Sequence, residues 1–406
     1  MLQKMFHDMK SSKAFWPTLV TLIAIIILLL LPNEFENPVY DRHERSRARV
    51  LSVDNTLVQQ AGMIKYGEQV CQVEVLNGSK KGLVTTAINL LTGSLEIDKY
   101  FQEGDLALVL VGDQLENGTH RVTMVDHYRM HWEFIIIAAY MITLIVFAGW
   151  IGVRAVLSFT FTILCIVRIL IPGFLNGMNP MALGLVVIAI KTVVILSLVY
   201  GLDKRALAAC IGSFAGTTLT FVLAMIFTSL LKIHGTVMRY SESLLYAGYE
   251  NLNLSHIFIA SIFIASSGAL MDIAVDITAG VGEVVKIEPN VSRKYAIKAG
   301  MNIGKAALGT MTTTLLLAYS GGYIGLLMVF VAQGTPLISI LNLNYVSAEI
   351  VNTMIGSFGL VTVAPFTAIA SGMLLAKKFG TASPNTESLE IAARKAKNKE
   401  IDIERR

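Results

Sequence analysis

Long apolar runs separated by short polar segments make up most of this chain. Each run has about the length of the roughly 20 apolar residues that a membrane-crossing helix requires. The pattern therefore predicts an α-helical polytopic membrane protein. The predicted spans after residue 133 are 134–150, 153–171, 180–201, 206–231, 254–278, 295–318, 323–341 and 350–376.

One further apolar run, at residues 15–32, precedes the others and follows a basic start that holds Lys4, Lys10 and Lys13. No small-residue cleavage site follows this run, so we expect an uncleaved membrane anchor. The basic start places the N-terminal segment, residues 1–14, in the cytoplasm. The alternative is a signal peptide that is removed.

The external segment, residues 33–131, has a different pattern from about residue 42 to residue 130, where apolar and polar residues alternate over short stretches. Turn signals separate these stretches at Gly78, Gly104 and Gly118, each next to an asparagine or an acidic residue. This arrangement predicts a small antiparallel β-barrel or sandwich of roughly 90 residues, placed by topology outside the cytoplasmic membrane. The predicted strands lie within 47–53, 68–76, 82–90, 105–112 and 120–128.

Basic residues at segment ends orient the chain, because cytoplasmic loops are enriched in Lys and Arg. They fit an inside N-terminus through seven spans, but counting every later run as a span would put the basic tail, residues 377–406, outside. We therefore expect 323–345, broken at Gly334 and Pro336, to be an interrupted or re-entrant element. This gives about eight spans, namely the anchor and seven spans in a helical bundle at residues 132–376, with a cytoplasmic tail. The alternative has nine spans and an outside tail.

Composition supports the membrane class and excludes others. Hydrophobic residues make up 54% of the chain and charged residues 15%, against roughly 25% charged in globular domains. The net charge of +4 reflects basic loops and tail, not a face that follows phosphates, so nucleic acid is not an expected partner. Cys71, Cys165 and Cys210 lie far apart and indicate neither disulfides nor structural zinc.

Motifs for enzymatic chemistry and cofactor binding are not found. The stretch GMNIGK is too short for a phosphate-binding loop and lies in a predicted span. His120, Asp126, His127 and His131 could suggest a metal site, but we interpret the histidines as surface or interfacial residues. We therefore expect no enzyme activity, no cofactor and no bound metal.

Charged residues inside the apolar runs are the main candidates for function, because such groups usually mark an ion, proton or substrate path. Asp272, Asp276 and Glu283 fall within about 40° of one another on one helix, at 100° per residue. The next span carries an equally narrow stripe of Lys298, Asn302 and Lys305. The two stripes predict facing charged surfaces.

An antiparallel hairpin that bends between residues 290 and 291 would bring the stripes together. Residue pairs whose numbers add to 581 lie level in it, so Glu283 meets Lys298 and Asp276 meets Lys305. The first pair is predicted to be a structural ion pair near the membrane surface. Asp272 has no charged partner in the hairpin.

Lys191, at the centre of its own span, is the expected second cation for Asp272. Asp272, Asp276, Lys305 and Lys191 would then form a midplane cluster in which a proton or cation displaces a lysine. Ion pairs that only fix helix packing are the alternative.

Other polar residues add to the predicted path. Thr312 and Glu349 are included as lining residues, although threonines in membrane helices often bond their own backbone and Glu349 could be interfacial. Gly212-x-x-x-Gly216 and Gly300-x-x-x-Gly304 indicate close helix packing, the second pair facing away from the lysine stripe.

Three stretches, SSGALMDIAVDITAGVGEV, AGMNIGKAALGTMTTTLLLAYSGG and AEIVNTMIGSFGLVTVAPFTAIASG, resemble signature regions of the YibE/F-like family of bacterial multispan membrane proteins. Gly268, Met271, Asp272 and Asp276 match the first signature, whereas Thr313 departs from the second, where similar proteins often carry Asn. The resemblance covers roughly residues 134–376. It implies a multi-pass protein of the bacterial cytoplasmic membrane, often described as a permease and often encoded beside a similar partner chain.

The expected function is therefore a membrane transporter or permease, coupled to a proton or another cation through the midplane Asp and Lys residues. Its expected partners are membrane lipids, a small solute or ion, and a second similar chain or copy. The competing class is a non-transporting scaffold or envelope assembly factor whose external β domain binds a partner. The sequence names neither the substrate nor the direction of transport.

Overall fold

A computed structural model describes residues 14–32, 44–114 and 120–377 of the 406-residue chain. The chain divides into two compact units. One comprises Pro32–Val146 and contains the β domain, and the other comprises Met1–Leu31 with Phe147–Arg406 and contains the main helical bundle. Residues 378–406 of the predicted tail, the N-terminal segment before residue 14 and the predicted turn at Gly118 lie outside the described residues.

The β domain is a small barrel. Five of its strands close into a ring in the order β1-β5-β6-β4-β3, because β3 pairs back onto β1, and the short β2 adds to the edge of β3. The neighbours are antiparallel except for β4 and β6, which pair in parallel. The strands are β1 (Glu44–Asp54), β2 (Val58–Ala61), β3 (Ile64–Val75), β4 (Val84–Thr92), β5 (Leu106–Gln114) and β6 (His120–His127).

Alternation of side chains builds the barrel core, as the sequence pattern predicts. Along β4, for example, Ala87, Asn89 and Leu91 point inward and their neighbours are exposed. Gly78 and Gly104 adopt φ values of +84° and +89° in two of the predicted turns, a region that favours glycine. Of the predicted barrel or sandwich, the structure shows a barrel, but it is not antiparallel throughout, because β4 and β6 pair in parallel. β2 is a strand that the sequence pattern did not predict.

Buried polar side chains hold one long loop against the barrel. Gln69 donates from Nε2 to the carbonyl oxygen of Phe101 and accepts from the Phe101 amide, both at 3.0 Å. Asn89 donates from Nδ2 to Gln69 at 3.1 Å and to the Lys99 carbonyl oxygen at 2.6 Å. Because these buried groups are all hydrogen-bonded, they fix the position of the loop between β4 and β5 on the barrel.

The remaining described elements are helical. Four of the long helices begin at a side chain that accepts hydrogen bonds from first-turn amides: Asn179, Asp203, Asn253 and Ser292. The helices are α1 (Phe15–Leu30), α2 (Met130–Ala148), α3 (Trp150–Cys165), α4 (Ile171–Leu175), α5 (Pro180–Tyr200), α6 (Lys204–Leu230), α7 (Ser241–Tyr246), α8 (Leu254–Ile287), α9 (Arg293–Gly321), α10 (Ile324–Ala332), α11 (Leu337–Leu341) and α12 (Asn344–Leu375).

Six helical segments among the described residues are long and apolar enough to cross a membrane. A five-residue π-helical stretch, Ile166–Leu170, joins α3 to α4 in one of them. Helix α1 is a shorter apolar helix, and α9 is 29 residues long but carries too many polar residues to be counted with the six. The six segments are Met130–Ala148, Trp150–Leu175, Pro180–Tyr200, Lys204–Leu230, Leu254–Ile287 and Asn344–Leu375.

The region predicted to be interrupted consists of two short helices, α10 of 9 residues and α11 of 5 residues. They are separated near Gly334, which has a φ of +62°, and Pro336 precedes α11. At 1.5 Å per residue neither helix approaches the roughly 30 Å of a hydrocarbon core. The predicted break is therefore present, and residues 324–341 do not form one continuous spanning helix.

Helix α12 returns to the end of the bundle where α8 and α9 are joined. Lys377, just after α12, donates from Nζ to Asn290 Oδ1 at 3.0 Å and forms a β-bridge with Ser292. Along the way, α12 lies antiparallel to α9, with Ala368 against Gly300 and Ala364 against Gly304. The described end of the chain, at residue 377, therefore lies beside the α8–α9 loop.

Candidate functional site

An acidic face on α8 is the central feature of the site. Asp272 and Asp276, one turn apart, are both exposed, whereas Ile273 and Ile277 beside them are fully buried. The same exposed side of the helix continues through Ala265 toward one end and Glu283 toward the other. Helix α8 thus turns its alkyl side chains into the bundle and leaves its carboxylates on an open side.

The predicted ion pairs within the hairpin are not formed, and this part of the prediction is wrong. Glu283 pairs with Lys286 on its own helix at 3.5 Å, not with Lys298, and both partners are exposed. Asp276 and Lys305 are both exposed, and none of the ion pairs in the described part of the chain joins them.

Glycine packing explains the difference. A Cβ atom on Gly304 would lie 3.0 Å from Ile277 Cδ1, and one on Gly300 would lie 2.9 Å from Val281 Cγ2. Both contacts join residues whose numbers add to 581, so the predicted axial register is present while the helices meet on a different face. Small residues let two membrane helices approach closely, and this contact excludes the charged stripes from the helix interface.

Lys191 lies at a separate contact between α5 and α8. It is half-buried and donates from Nζ to Ser267 Oγ at 2.8 Å, while Ser267 Oγ donates to the Ile264 carbonyl oxygen at 2.6 Å. Ser267 is five residues before Asp272, which places the two about 140° apart around the helix. The expected contact between Lys191 and Asp272 is therefore wrong, and none of the described ion pairs joins them.

Tyr200 and Arg205 are the polar neighbours that sequence reasoning missed. The Tyr200 hydroxyl donates to the Val275 carbonyl oxygen at 2.7 Å, and Asp276 and Arg205 both act electrostatically on this hydroxyl. The Arg205 guanidinium lies 5.4 Å from the centroid of the Tyr200 ring and 3.3 Å from Asp203 Oδ2. In the sequence, Arg205 was recognised only as one of the basic residues at segment ends that orient the chain in the membrane.

The polar stripe on α9 is also open. Lys298, Asn302, Lys305 and Thr312 are all exposed on this helix. Thr312 donates from Oγ1 to the Leu308 carbonyl oxygen at 2.8 Å, the backbone bond that is common for threonine in membrane helices. The structure therefore places these four residues on one helix, but none of its described hydrogen bonds or ion pairs connects them to Asp272 or Asp276.

Glu349 lies at the other end of the bundle from the α8–α9 loop. It is half-buried in the wall of a cavity of about 590 Å³ that Tyr323 and Asn352 also line. Its position in the second turn of α12 makes it part of a site distinct from the acidic face of α8.

The histidines of the β domain make separate contacts. His120 Nδ1 lies 3.1 Å from the Gly112 carbonyl oxygen, and the His127 ring packs against Phe101, with its Nδ1 3.8 Å from Asp105 Oδ2. His131 stacks on Tyr128. Among the described residues, no group of three or more His, Cys, Asp or Glu side chains is arranged to hold a metal ion.

Comparison with known proteins agrees with the resemblance of the signature stretches. The YibE/F-like protein family matches residues 136–377, which is more than half of the chain and includes the acidic face, the α9 stripe and Glu349. No curated protein and no solved structure matches the chain. Together with the six apolar helices, the match indicates a multi-pass membrane protein. The chain belongs to the YibE/F-like protein family.

Proposed function

We propose that this protein is a membrane transporter of the bacterial cytoplasmic membrane, coupled to a proton or another cation that binds at the acidic face of α8. The observation that carries the proposal is the pair Asp272 and Asp276, exposed one turn apart on a helix long enough to span a bilayer. None of the ion pairs in the described part of the chain neutralises either carboxylate.

The energetics of the bilayer favour a functional role for this pair. A charged residue at the centre of a membrane helix costs about 2.5–3.5 kcal/mol even on insertion scales, so two acids facing lipid would be strongly disfavoured. The acidic face must therefore border water or another protein surface. A water-filled groove is the arrangement that a transport path needs.

The chemistry of two neighbouring carboxylates supports coupling to a cation. Residues four apart on a helix have Cβ atoms about 5–6 Å apart, so repulsion between the two carboxylates disfavours the state in which both are ionised. A bound proton or metal cation relieves this repulsion. Arg205, which reaches the same region through Tyr200, is the tethered positive charge that such a cation would compete with.

The proposed topology has about eight spans, formed by α1, α2, α3–α4, α5, α6, α8, α9 and α12. Both termini are cytoplasmic, and the β-barrel is outside. The return of Lys377 to the α8–α9 loop supports this arrangement, because that loop carries Lys286, Arg293 and Lys294, and cytoplasmic loops are basic. The acidic face then runs from the cytoplasmic side into the membrane.

Flux through reconstituted protein tests the proposal. Liposomes loaded with a pH-sensitive dye receive gradients of Na⁺, K⁺, NH₄⁺, Mg²⁺ or Mn²⁺, and we expect the native protein to couple at least one gradient to proton movement. Asp272→Asn and Asp276→Asn should each abolish this signal while leaving thermal unfolding close to native. Glu283→Gln is the matched control, because Glu283 is an exposed acid on the same helix and is paired with Lys286.

Two results would overturn the proposal. One is full coupling by folded Asp272→Asn and Asp276→Asn variants. The other is the absence of coupling by the folded native protein across all the gradients.

A scaffold or assembly factor is the second candidate function, and the separate compactness of the β-barrel favours it. In that case the external barrel binds an envelope partner, and the charges of the bundle only guide its assembly. A variant that lacks residues 44–127 discriminates the two functions. A transporter core should keep flux without the barrel, whereas a scaffold should lose all activity in a complementation assay.

A further inference from the structure

A second polar site lies away from the acidic face, at the end of the bundle opposite the α8–α9 loop. Its cavity has a volume of about 590 Å³, within the range of small-molecule pockets. The wall combines the N-terminal parts of α8 and α12, the start of α10 and the segment 237–239 at the end of a 3₁₀ turn. The polar residues that line it are Arg239, Ser261, Tyr323, Tyr345, Glu349 and Asn352.

One side of the cavity presents buried acceptors that are not fully satisfied. Glu349 Oε1 and Asn352 Oδ1 are buried and accept no hydrogen bond of good geometry from the described residues, although the Tyr323 hydroxyl and the Asn352 side chain lie close enough to interact with the Glu349 carboxylate. A buried acceptor without a donor is costly, so a bound group that donates hydrogen bonds would be favoured here. An ammonium ion has several donors and a positive charge, and it matches a carboxylate oxygen beside an amide oxygen.

The other side of the same cavity carries a positive charge. The Arg239 guanidinium lies 5.8 Å from the centroid of the Tyr323 ring. The charges of Arg239 and Glu349 both act electrostatically on the Tyr323 hydroxyl. None of the ion pairs among the described residues joins Arg239 to Glu349. The cavity thus holds separated positive and negative groups, which suits a ligand that carries both charges. A guanidinium is well shaped for a carboxylate or a phosphate.

An apolar cavity of about 190 Å³ adjoins the polar one. The two share Tyr323, Leu326, Tyr345 and Glu349, so the apolar space begins where the carboxylate is. The rest of its wall is mainly alkyl and aromatic, and includes Leu316, Phe330, Val346, Ile350 and Met354. The combined space fits a charged head with an apolar group attached.

We propose that this double cavity binds a small zwitterion that carries an apolar group. The ammonium of the ligand contacts Glu349 and Asn352, its anionic group contacts Arg239, and its apolar part occupies the smaller cavity. Two sources supply this chemistry: a free α-amino acid with an apolar side chain, and the headgroup region of an aminophospholipid. The site needs neither Asp272 nor Asp276, so it does not depend on the proposed coupling mechanism.

Direct binding to the purified full-length protein tests the proposal. Radiolabelled leucine is the first probe. Three competitors each lack one of its groups: glycine lacks the apolar side chain, isoamylamine lacks the carboxylate, and isocaproate lacks the ammonium. We expect each competitor to bind at least tenfold more weakly than leucine. Glu349→Gln and Arg239→Gln should each weaken leucine binding at least tenfold, and Leu316→Trp should weaken leucine more than glycine by filling the apolar cavity. Glu283→Gln, outside this site and on an exposed acid that pairs with Lys286, should bind leucine normally.

The lipid arm uses nanodiscs that contain phosphatidylethanolamine or phosphatidylglycerol, with bound lipid counted by native mass spectrometry after detergent extraction. Retention of phosphatidylethanolamine by the native protein and its loss in Glu349→Gln, without leucine binding, assign the site to the lipid headgroup. Retention of neither probe would overturn the proposal. Binding that Glu349→Gln and Arg239→Gln both leave unchanged, with native-like thermal unfolding of both variants, would also overturn it.

Discussion

Gly304 on α9 packs directly against Ile277 on α8, so that a Cβ atom on the glycine would lie 3.0 Å from Ile277 Cδ1. The same Cβ would lie 2.9 Å from the Cβ of Ala364 on α12. Three helices therefore meet at a point where only a glycine fits without movement. This contact also decides where the charges go, because it turns Asp276 and Lys305 away from the interface of their two helices.

We predict that Gly304→Ala destabilises the bundle through overpacking, which typically costs about 1–3 kcal/mol. The measurement is the thermal unfolding midpoint in detergent. Gly309→Ala is the matched control on the same helix, because a Cβ there meets nothing within 4 Å. That substitution should be neutral or stabilising by up to about 1 kcal/mol through helix propensity. Equal effects of the two substitutions would contradict the packing that we describe.

A double-substitution cycle tests whether Asp276 and Lys305 interact. The structure shows no ion pair between them, so we expect the effects of Asp276→Asn and Lys305→Met on stability to add within about 0.5 kcal/mol. A directly bonded pair would instead show rescue in the double variant, since each single change would leave one charge unpaired. A double variant more stable by over about 1 kcal/mol than the sum of the single effects predicts would contradict additivity and support the ion pair that the sequence predicted.

The return of α12 to the α8–α9 loop predicts a cross-link. Asn290 and Lys377 are joined by a 3.0 Å hydrogen bond that the long lysine side chain spans, so Asn290→Cys and Lys377→Cys together should be joined by a bifunctional maleimide reagent with a short spacer. The native Cys71, Cys165 and Cys210 are replaced beforehand. A cysteine at Pro336, paired with the one at Asn290, is the negative control, because Pro336 belongs to the interrupted region near the other end. Cross-linking of the control instead would contradict the arrangement.

Residues 42–130 expressed alone should fold as a soluble barrel with strand-type circular dichroism. Cys71 is completely buried in the barrel core, and this burial raises the pKa of its thiol to about 11. A folded barrel should therefore react very slowly with a thiol reagent at pH 8, and one thiol should react rapidly in guanidinium chloride. Fast reaction without denaturant would show that the isolated segment does not form this core.

Asp98 predicts how acid destabilises the barrel. Its carboxylate accepts hydrogen bonds from the backbone amides of Thr92, Gly93 and Ser94, and these bonds lower the pKa of Asp98. The stabilisation is complete above the unfolded-state pKa, about 3.9, and is lost as the pH falls through the lower folded-state pKa. Asp98→Asn should therefore reduce the loss of stability between pH 5 and the acid limit.

The unfolding midpoint of the isolated barrel, followed from pH 7 to pH 2, measures this effect. Some acid sensitivity should remain in the variant, because hydrogen bonds also lower the pKa values of Glu44 and Asp54. Glu96→Gln, in the same loop as Asp98, is the control and should keep the native profile. An unchanged profile for Asp98→Asn would mean that its amide contacts contribute no pH-dependent stability.

Several features followed from the sequence alone because they depend on spacing along the chain. Alternation with period two predicted the barrel strands, and long apolar runs predicted the membrane helices. The break at Gly334 and Pro336 predicted the interruption between α10 and α11. The axial register of α8 and α9 was also predictable, since a short loop and a fixed rise per residue determine which residues lie level.

Only the tertiary structure decided which face of each helix meets its neighbours. The sequence offered α9 two faces for the contact, one with Lys298 and Lys305 and one with Gly300 and Gly304. The glycine face packs inward because close approach of three helices gains van der Waals contact along their length, whereas burying a charged pair requires its desolvation. The cavity around Glu349 was likewise decided only by the tertiary structure, because Arg239, Tyr323 and Asn352 come from different segments of the chain and meet only when the helices pack.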